Sequence, residues 1–272
     1  MEKHIHPSRL ARDERFHRRP TEERFTDPRD QSQIGWVQAE AADVEERARR
    51  RMHGIFVGEI QALEGAGRTA FDFGTDEVPF ELKLDMARQC WDEARHCEIS
   101  VKLCEHMGGD IGEFTEFTTL FEAACHDDPV FRLAGVNRAL EGLAIDVFNQ
   151  MRDFGRDMAD PVMEHCEDFM LADEVTHVKM GSRWLRTVTE GDPQRRDEAL
   201  RFQKVVDGLF NFQGARGEDA DSPIRLAREF RRMAGFSDDE VDQIAGMAAQ
   251  ARAEADAARV SRGTASQRAA AG

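Results

Sequence analysis

A glutamate and a histidine three residues apart occur twice in this chain, as Glu93 with His96 and as Glu174 with His177. Each pair follows a segment in which one glutamate, Glu59 or Glu141, stands among apolar residues. Residues three apart on a helix point the same way, so each pair can grip one cation. The order Glu, Glu-x-x-His, Glu, Glu-x-x-His therefore calls for a fold that returns four segments to one level. Glu59 and Glu93 are 34 residues apart, and Glu141 and Glu174 are 33 apart. Both spacings suit two antiparallel helices with a short connection. Their near-equality suggests two related hairpins, although the intervening sequences are not alike enough to prove duplication.

The single glutamates are informative because of their neighbours. Met52, Ile55, Phe56, Ala62, Leu63 and Ala66 share the helical face of Glu59, and Ala134, Asn137, Ile145 and Phe148 share that of Glu141. A carboxylate in an apolar stripe is costly unless something offsets its desolvation, and metal coordination does so. The plain alternative is a solvent-facing acid, as expected for Glu45 and Glu46. One motif alone is weak: Asp13-Glu14-Arg15-Phe16-His17 also reads Asp-Glu-x-x-His, but it runs into Pro20 and has no isolated partner glutamate, so it reads as coincidence.

Helix formers such as Ala, Leu, Met, Glu and Arg are abundant, Pro is scarce, and no run alternates over strand length, so the 272 residues read as all-α. Helices are expected from about Ile34 to Phe73 and Pro79 to Met107, with a short one around Phe114 to Ala124. Asp128-Pro129 and Asp160-Pro161 open the next two, reaching Gly155 and Thr189. Beyond Gly191 three more are signalled: Asp192-Pro193 to Phe212, Ser222-Pro223 to Ala234, and Ser237 to Arg259, the last opened by a capping box of Ser237 and Glu240. Residues 213–221 read as a flexible join. The chain thus divides into a charged arm (1–32), a four-helix bundle (33–190), accessory C-terminal helices (191–260) and a disordered tail (261–272).

A net charge of −16 repels phosphate backbones, and no helix reads as a basic patch, so no nucleic-acid partner is expected. No apolar run approaches the roughly 20 residues that cross a bilayer, and the first ten residues carry no apolar signal segment. A cytoplasmic protein is the expectation. The five cysteines, at 90, 97, 104, 125 and 166, include no Cys-x-x-Cys pair, and Cys90, Cys97 and Cys104 are too far apart along one helix to pair, so they read as buried reduced thiols. His53, His106, His126 and His165 read as surface or capped histidines, and Trp91 as a packed core residue.

The six side chains Glu59, Glu93, His96, Glu141, Glu174 and His177 resemble the ligand set of the ferritin-like di-iron carboxylate proteins over about residues 34–190. The resemblance implies a ferritin-like four-helix bundle, here with additional C-terminal helices, holding two iron ions, with manganese or a mixed pair as the alternative. Asp92 and Asp173 each stand four residues before a histidine, where they could orient an imidazole N–H. The first copy, with Arg95, is similar to the Asp-Glu-x-Arg-His of hydroxylases and desaturases. The chain has no Tyr, so it cannot store the tyrosyl radical of a ribonucleotide reductase small subunit. The activity implied is an oxygen-activating oxidase or monooxygenase, with molecular oxygen, a small organic substrate and an electron-donor protein as partners, and a homodimer left open. A pocket lined by Ile55, Phe56, Leu63, Ala134, Ile145 and Phe148 is expected beside the metals. The alternatives are a ferroxidase or iron-handling protein and a metal-stabilised scaffold without catalysis; a tRNA-modifying hydroxylase also resembles this ligand order, but the acidic balance counts against RNA.

Overall fold

The computed structural model describes residues 44–253 except 115, 117, 220, 221, 248 and 252. The expected arm, the start of the first helix at Ile34, the Asp13 to His17 motif and the C-terminal tail lie outside the described residues.

The chain is an all-α bundle. Helix α1 (Val44–Asp72) and α2 (Phe80–His106) pack along one another, joined by a turn in which the Gly74 carbonyl accepts from the amides of Glu77 and Val78. After the short α3 (Thr119–Ala124), a second hairpin begins with α4 (Pro129–Ala134). It continues through a π-helical turn (Gly135–Leu140) into α5 (Glu141–Asp157), and α6 (Pro161–Val188) returns along α5. Both Asp-Pro starts behave as their chemistry requires. Asp128 Oδ1 accepts from Val130 N at 2.9 Å, and Asp160 Oδ1 accepts from Val162 N and Met163 N at 3.1 Å, with proline supplying the helical φ. The two hairpins meet where α2 faces α6, and a core including Met52, Leu103, Phe148, Met170 and Val178 fills the space between them.

The π-helical turn is absent from the helical periodicity that predicts this segment. Its wider i→i+5 hydrogen bonding inserts one extra residue immediately before Glu141, which rotates the carboxylate relative to the preceding turn. Two glycines make room for it. A Cβ on Gly135 would lie 2.2 Å from the Ala124 carbonyl oxygen, and one on Gly181 would lie 2.3 Å from Asn137 Cβ.

The C-terminal part departs from expectation. Helix α7 (Pro193–Leu209) starts at its Asp-Pro cap as anticipated, but residues 213–221 are not a free join. Arg216 is fully buried, its guanidinium 2.9 Å from Asp146 and 3.1 Å from Asp207, and Arg216–Gly217 (β1) pairs in parallel with Ile224–Arg225 (β2). Only Arg228–Met233 (α8) of the expected Ser222 to Ala234 helix forms, because the first half of that stretch is drawn into the strand pairing. The capping box forms, with Ser237 N donating to Glu240 Oε2 at 2.8 Å and Glu240 N to Ser237 Oγ at 3.3 Å, and residues 238–247 are helical. All five cysteines are free; Cys104 alone is fully buried and the others are half-buried. Among the described residues no helix is long and apolar enough to cross a membrane.

Candidate metal centre

Helix α1 delivers Glu59, α2 delivers Glu93 and His96, α5 opens with Glu141, and α6 delivers Glu174 and His177. All six side chains are buried, and they converge at mid-bundle. Two groups of donors lie within 4.8 Å of one another: Glu59, Glu93, His96 and Glu174, and Glu93, Glu141, Glu174 and His177. Glu93 and Glu174 belong to both groups, so these two carboxylates would be shared if each group held a cation, while Glu59 and Glu141 belong to one group each.

Both imidazoles turn Nδ1 inward. His96 Nδ1 lies 3.1 Å from Glu59 Oε2, 3.1 Å from Glu93 Oε2 and 3.0 Å from Glu174 Oε1. His177 Nδ1 lies 3.1 Å from Glu93 Oε1 and 3.3 Å from Glu174 Oε2. Glu174 Oε1 approaches His96 without the angle of a hydrogen bond and has no other partner. An orphaned buried oxygen is a donor in waiting. The fit to a cation pair is also metric: adjacent donors in an octahedron with bonds of about 2.1 Å stand about 3.0 Å apart, close to the separations seen here. Four carboxylates and two imidazoles suit iron or manganese better than zinc, which favours richer nitrogen and sulfur sets.

The outward face of each imidazole is held by an aspartate, but the pairing crosses between helices. His96 Nε2 lies 3.2 Å from Asp173 Oδ2 on α6, and His177 Nε2 lies 3.3 Å from Asp92 Oδ2 on α2. The expectation that each aspartate serves the histidine on its own helix is thus corrected: a ring whose Nδ1 points into the bundle aims Nε2 at the neighbouring helix. Arg95 ties the two aspartates together, bonding Asp92 and, at 3.1 Å, Asp173. Both aspartates are held below the usual carboxylate range: burial opposes ionisation, but the facing histidine and Arg95 overcome it.

The carboxylates divide by electrostatic environment. Burial, followed by the charges of Glu93 and Glu174, pushes Glu59 up to about 8, although the hydrogen bond to His96 works the other way. Burial and the same two neighbours raise Glu141 well above its ordinary range. Glu93 moves down, since contact with His177 and His96 outweighs its desolvation. Both histidines are raised despite burial, because each faces carboxylates from two sides.

Gln89, four residues before Glu93, was not singled out by the sequence reasoning. Its Nε2 donates to Glu141 Oε1 at 2.6 Å, and its Oε1 accepts from Asn137 Nδ2 at 2.6 Å. Its one signal is helical register with Glu93. Glu167, buried on α6, was also missed, and nothing in its local sequence separates it from a solvated acid.

Three other expectations need correcting. A cavity of about 40 Å³ does adjoin Glu59 and Glu141, but of the six predicted lining residues only Ile55 and Phe148 face it. Phe56 packs with Val57, Ile60 and Val101 instead, and Ala134 with Val130 and Leu185, because the cavity lies between α1 and α5 rather than along the centre of either stripe. Trp91 is 66% exposed, as its position two residues from inward-facing Glu93 dictates. His53 is buried, its Nδ1 2.8 Å from Glu116 and its Nε2 accepting from Gly112 N, so it fastens the loop after α2 onto α1. His106, His126 and His165 are exposed as expected.

No curated protein and no solved structure matches this chain. One family model matches residues 3–242, a span that takes in all six convergent side chains and the buried Arg216 and Arg231. The chain therefore belongs to the family described as a protein of unknown function, DUF455.

Proposed function

We propose that the chain is a ferritin-like di-metal oxidoreductase, an oxygen-activating oxidase or monooxygenase acting on a small organic molecule. The observation that carries this reading is the convergence of Glu59, Glu93, His96, Glu141, Glu174 and His177 into two donor groups that share Glu93 and Glu174. Two iron ions held there, or manganese in their place, would supply reversible one-electron chemistry and open coordination positions for molecular oxygen.

The protein's own part is positional and electrostatic. Glu93 and Glu174 set the spacing of the two positions. Asp92 and Asp173 fix the rings of His177 and His96 with Nδ1 inward and keep each Nε2–H hydrogen-bonded. Arg95 holds both aspartates ionised and is partly exposed, so the outer sphere reaches solvent on that side. The cavity at Glu59 and Glu141, otherwise lined by apolar residues and glycine, is large enough for a molecule the size of dioxygen.

The small size of that cavity favours a second reading, a ferroxidase or iron-handling role, in which the oxidised cation is itself the product. The cytoplasm is the compartment that five free thiols fit. The experiment is metal analysis of the purified chain, then anaerobic Fe²⁺ loading and rapid mixing with oxygen. Two tightly bound ions and a transient visible chromophore are expected, both lost in Glu93→Ala with His177→Ala. Retention of iron by the protein after oxidation supports the oxygenase, and release of Fe³⁺ to solution supports the ferroxidase. An unchanged reaction in the double variant sinks both.

A further inference from the structure

Most described arginines meet a carboxylate, as Arg95, Arg132, Arg152, Arg216, Arg228 and Arg231 do. Arg186, Arg196, Arg201 and Lys204 enter no ion pair among the described residues, on a chain whose net charge is −16. All four line one cavity of about 530 Å³, bounded by α6, α7, the π-helical turn and the helical residues 238–247.

The inner wall of that cavity holds a further cation. Arg138, from the π-helical turn, is 4% exposed and lies beside Ser182, Leu185 and Gln203, which are also buried. Its guanidinium donates to Gln203 Oε1 at 2.7 Å, to Ser182 and to Glu240, three hydrogen bonds from five N–H groups. Burial holds Arg138 below the ordinary arginine range even though Glu240 and Asp207 oppose the shift, and the charge of Arg186 adds to it. Arg186 stands one turn beyond Ser182 on α6, and Arg196, Leu200 and Lys204 follow at one-turn intervals on α7. Arg186, Arg201 and Lys204 are exposed, so they form the mouth, while Leu185, Leu200 and Ile244 supply apolar wall.

The acids of the cavity do not balance this charge. Asp207 is 3.1 Å from Arg216, and Glu240 is bonded to Arg138 and to the Ser237 cap. Asp197 and Asp239 remain, both exposed, against the four unpaired cations. Arg196 bonds only to the neutral Thr189, at 2.9 Å to its hydroxyl and 3.3 Å to its carbonyl. Like charges gathered in a recess repel one another, and a bound anion removes that repulsion. Guanidinium groups match the oxygens of a phosphate in pairs, and the apolar wall beside them suits an organic part.

We infer that this cavity binds a small organic phosphate. Arg186, Arg196, Arg201 and Lys204 hold its phosphate oxygens in front of Arg138, and its organic part lies against Leu185, Leu200 and Ile244. The volume of about 530 Å³ is that of a small-molecule site, whereas the cavity beside Glu59 and Glu141 has about 40 Å³. The inference does not depend on the metal-centre reading, although Arg138 stands in the turn that leads into Glu141.

The test is isothermal titration calorimetry of the full chain with ADP, pyrophosphate and citrate as probes, in about 50 mM salt. At least one of the two phosphates is expected to bind once per chain with a Kd below about 100 μM, and citrate, a polyanion without phosphate, at least about 10-fold more weakly. Arg186→Ala and Arg201→Ala, both at exposed positions that the fold does not need, are each expected to weaken phosphate binding about 10-fold. Arg183→Ala, on α6 but outside the cavity, is expected to leave it unchanged. Metal-stripped protein is expected to bind the phosphate as tightly as protein before stripping. No saturable binding of either phosphate below about 1 mM, citrate bound equally well, or indifference to the Arg186 and Arg201 variants overturns the proposal. Binding seen only before metal removal also overturns it, since the anion would then sit on the metals.

Discussion

Glu59 and Glu141 are the two carboxyls that the metal-free cluster keeps protonated near neutral pH, while His96 and His177 are kept charged by the carboxylates they face. If two divalent ions bind there, as proposed, they would displace about four protons and leave the net charge of the cluster unchanged. About four protons released per two ions near neutral pH is therefore the expected result of a titration in weak buffer with an indicator dye; release of fewer than about two would contradict the assignment of those four groups. The pH dependence follows in sign. The raised histidines add stability to the metal-free fold below their ordinary range and lose it as pH rises. Glu59, uncharged in the fold up to about 8 but ionised in the unfolded chain above the usual carboxylate range, also lowers metal-free stability as pH rises between those limits. Glu93 acts oppositely, its contribution being lost only as pH falls below the carboxylate range. Metal affinity rises with pH because fewer protons compete, so the gap in Tm between metal-loaded and metal-free protein should widen from about pH 5.5 to about pH 8. Spacing alone exposed the six convergent residues, because metal chemistry needs carboxylates and imidazoles in helical register. Gln89 and Glu167 stayed hidden, since a polar residue on a helix has the same local sequence whether it faces water or a neighbouring helix.

At the level of elements, the first hairpin is regular and the second is not. The π-helical turn before Glu141 fits only because Gly181 on α6 leaves its backbone open to Asn137, the residue that fixes Gln89 and, through it, Glu141. Gly181→Ala must push α6 away from the turn, and a loss of about 1–3 kcal/mol is expected, with weaker metal binding on the Glu141 and His177 side. Gly208→Ala on α7, where a new Cβ meets nothing within 4 Å, is the control, and it is expected to gain up to about 1 kcal/mol from helix propensity. Denaturant midpoints for the two variants check both signs; equal effects would mean that the close approach at Gly181 is unimportant. Helix starts were legible because Asp-Pro carries its own hydrogen-bond and φ requirements. The π-turn was not, because propensity rewards helical φ and ψ without saying which carbonyl each amide reaches.

The molecule as a whole is closed by charge. Asp146, one turn beyond Glu141 on α5, is buried with its oxygens bonded to Arg231 at 2.8 and 2.7 Å, to Arg216 at 2.9 Å and to the Ala227 amide at 2.9 Å. Burial opposes its ionisation, but the two guanidiniums hold it below the ordinary carboxylate range. Through it, the C-terminal segments are fixed to the helix that carries Glu141. Asp146→Ala leaves two buried guanidiniums short of their partner and is expected to cost about 3–5 kcal/mol in chemical denaturation. A change under about 1 kcal/mol would mean that the C-terminal part packs without the network. Residues 213–221 look like a flexible join in the sequence because Gly, Arg and Asp there have the composition of a solvated loop, and only the buried partners of Arg216 make the segment fixed.

What the sequence determined by itself was the helical class, the hairpin spacing and the six acidic and imidazole side chains, all consequences of periodicity and of short-range rules about caps and turns. Tertiary structure alone decided which aspartate serves which histidine, where the cavity opens, how the turn before Glu141 winds, and which polar side chains are sealed inside. Those outcomes depend on the neighbouring helix across a contact of a few ångströms, and a one-dimensional pattern records only the face a residue occupies, never what stands opposite it.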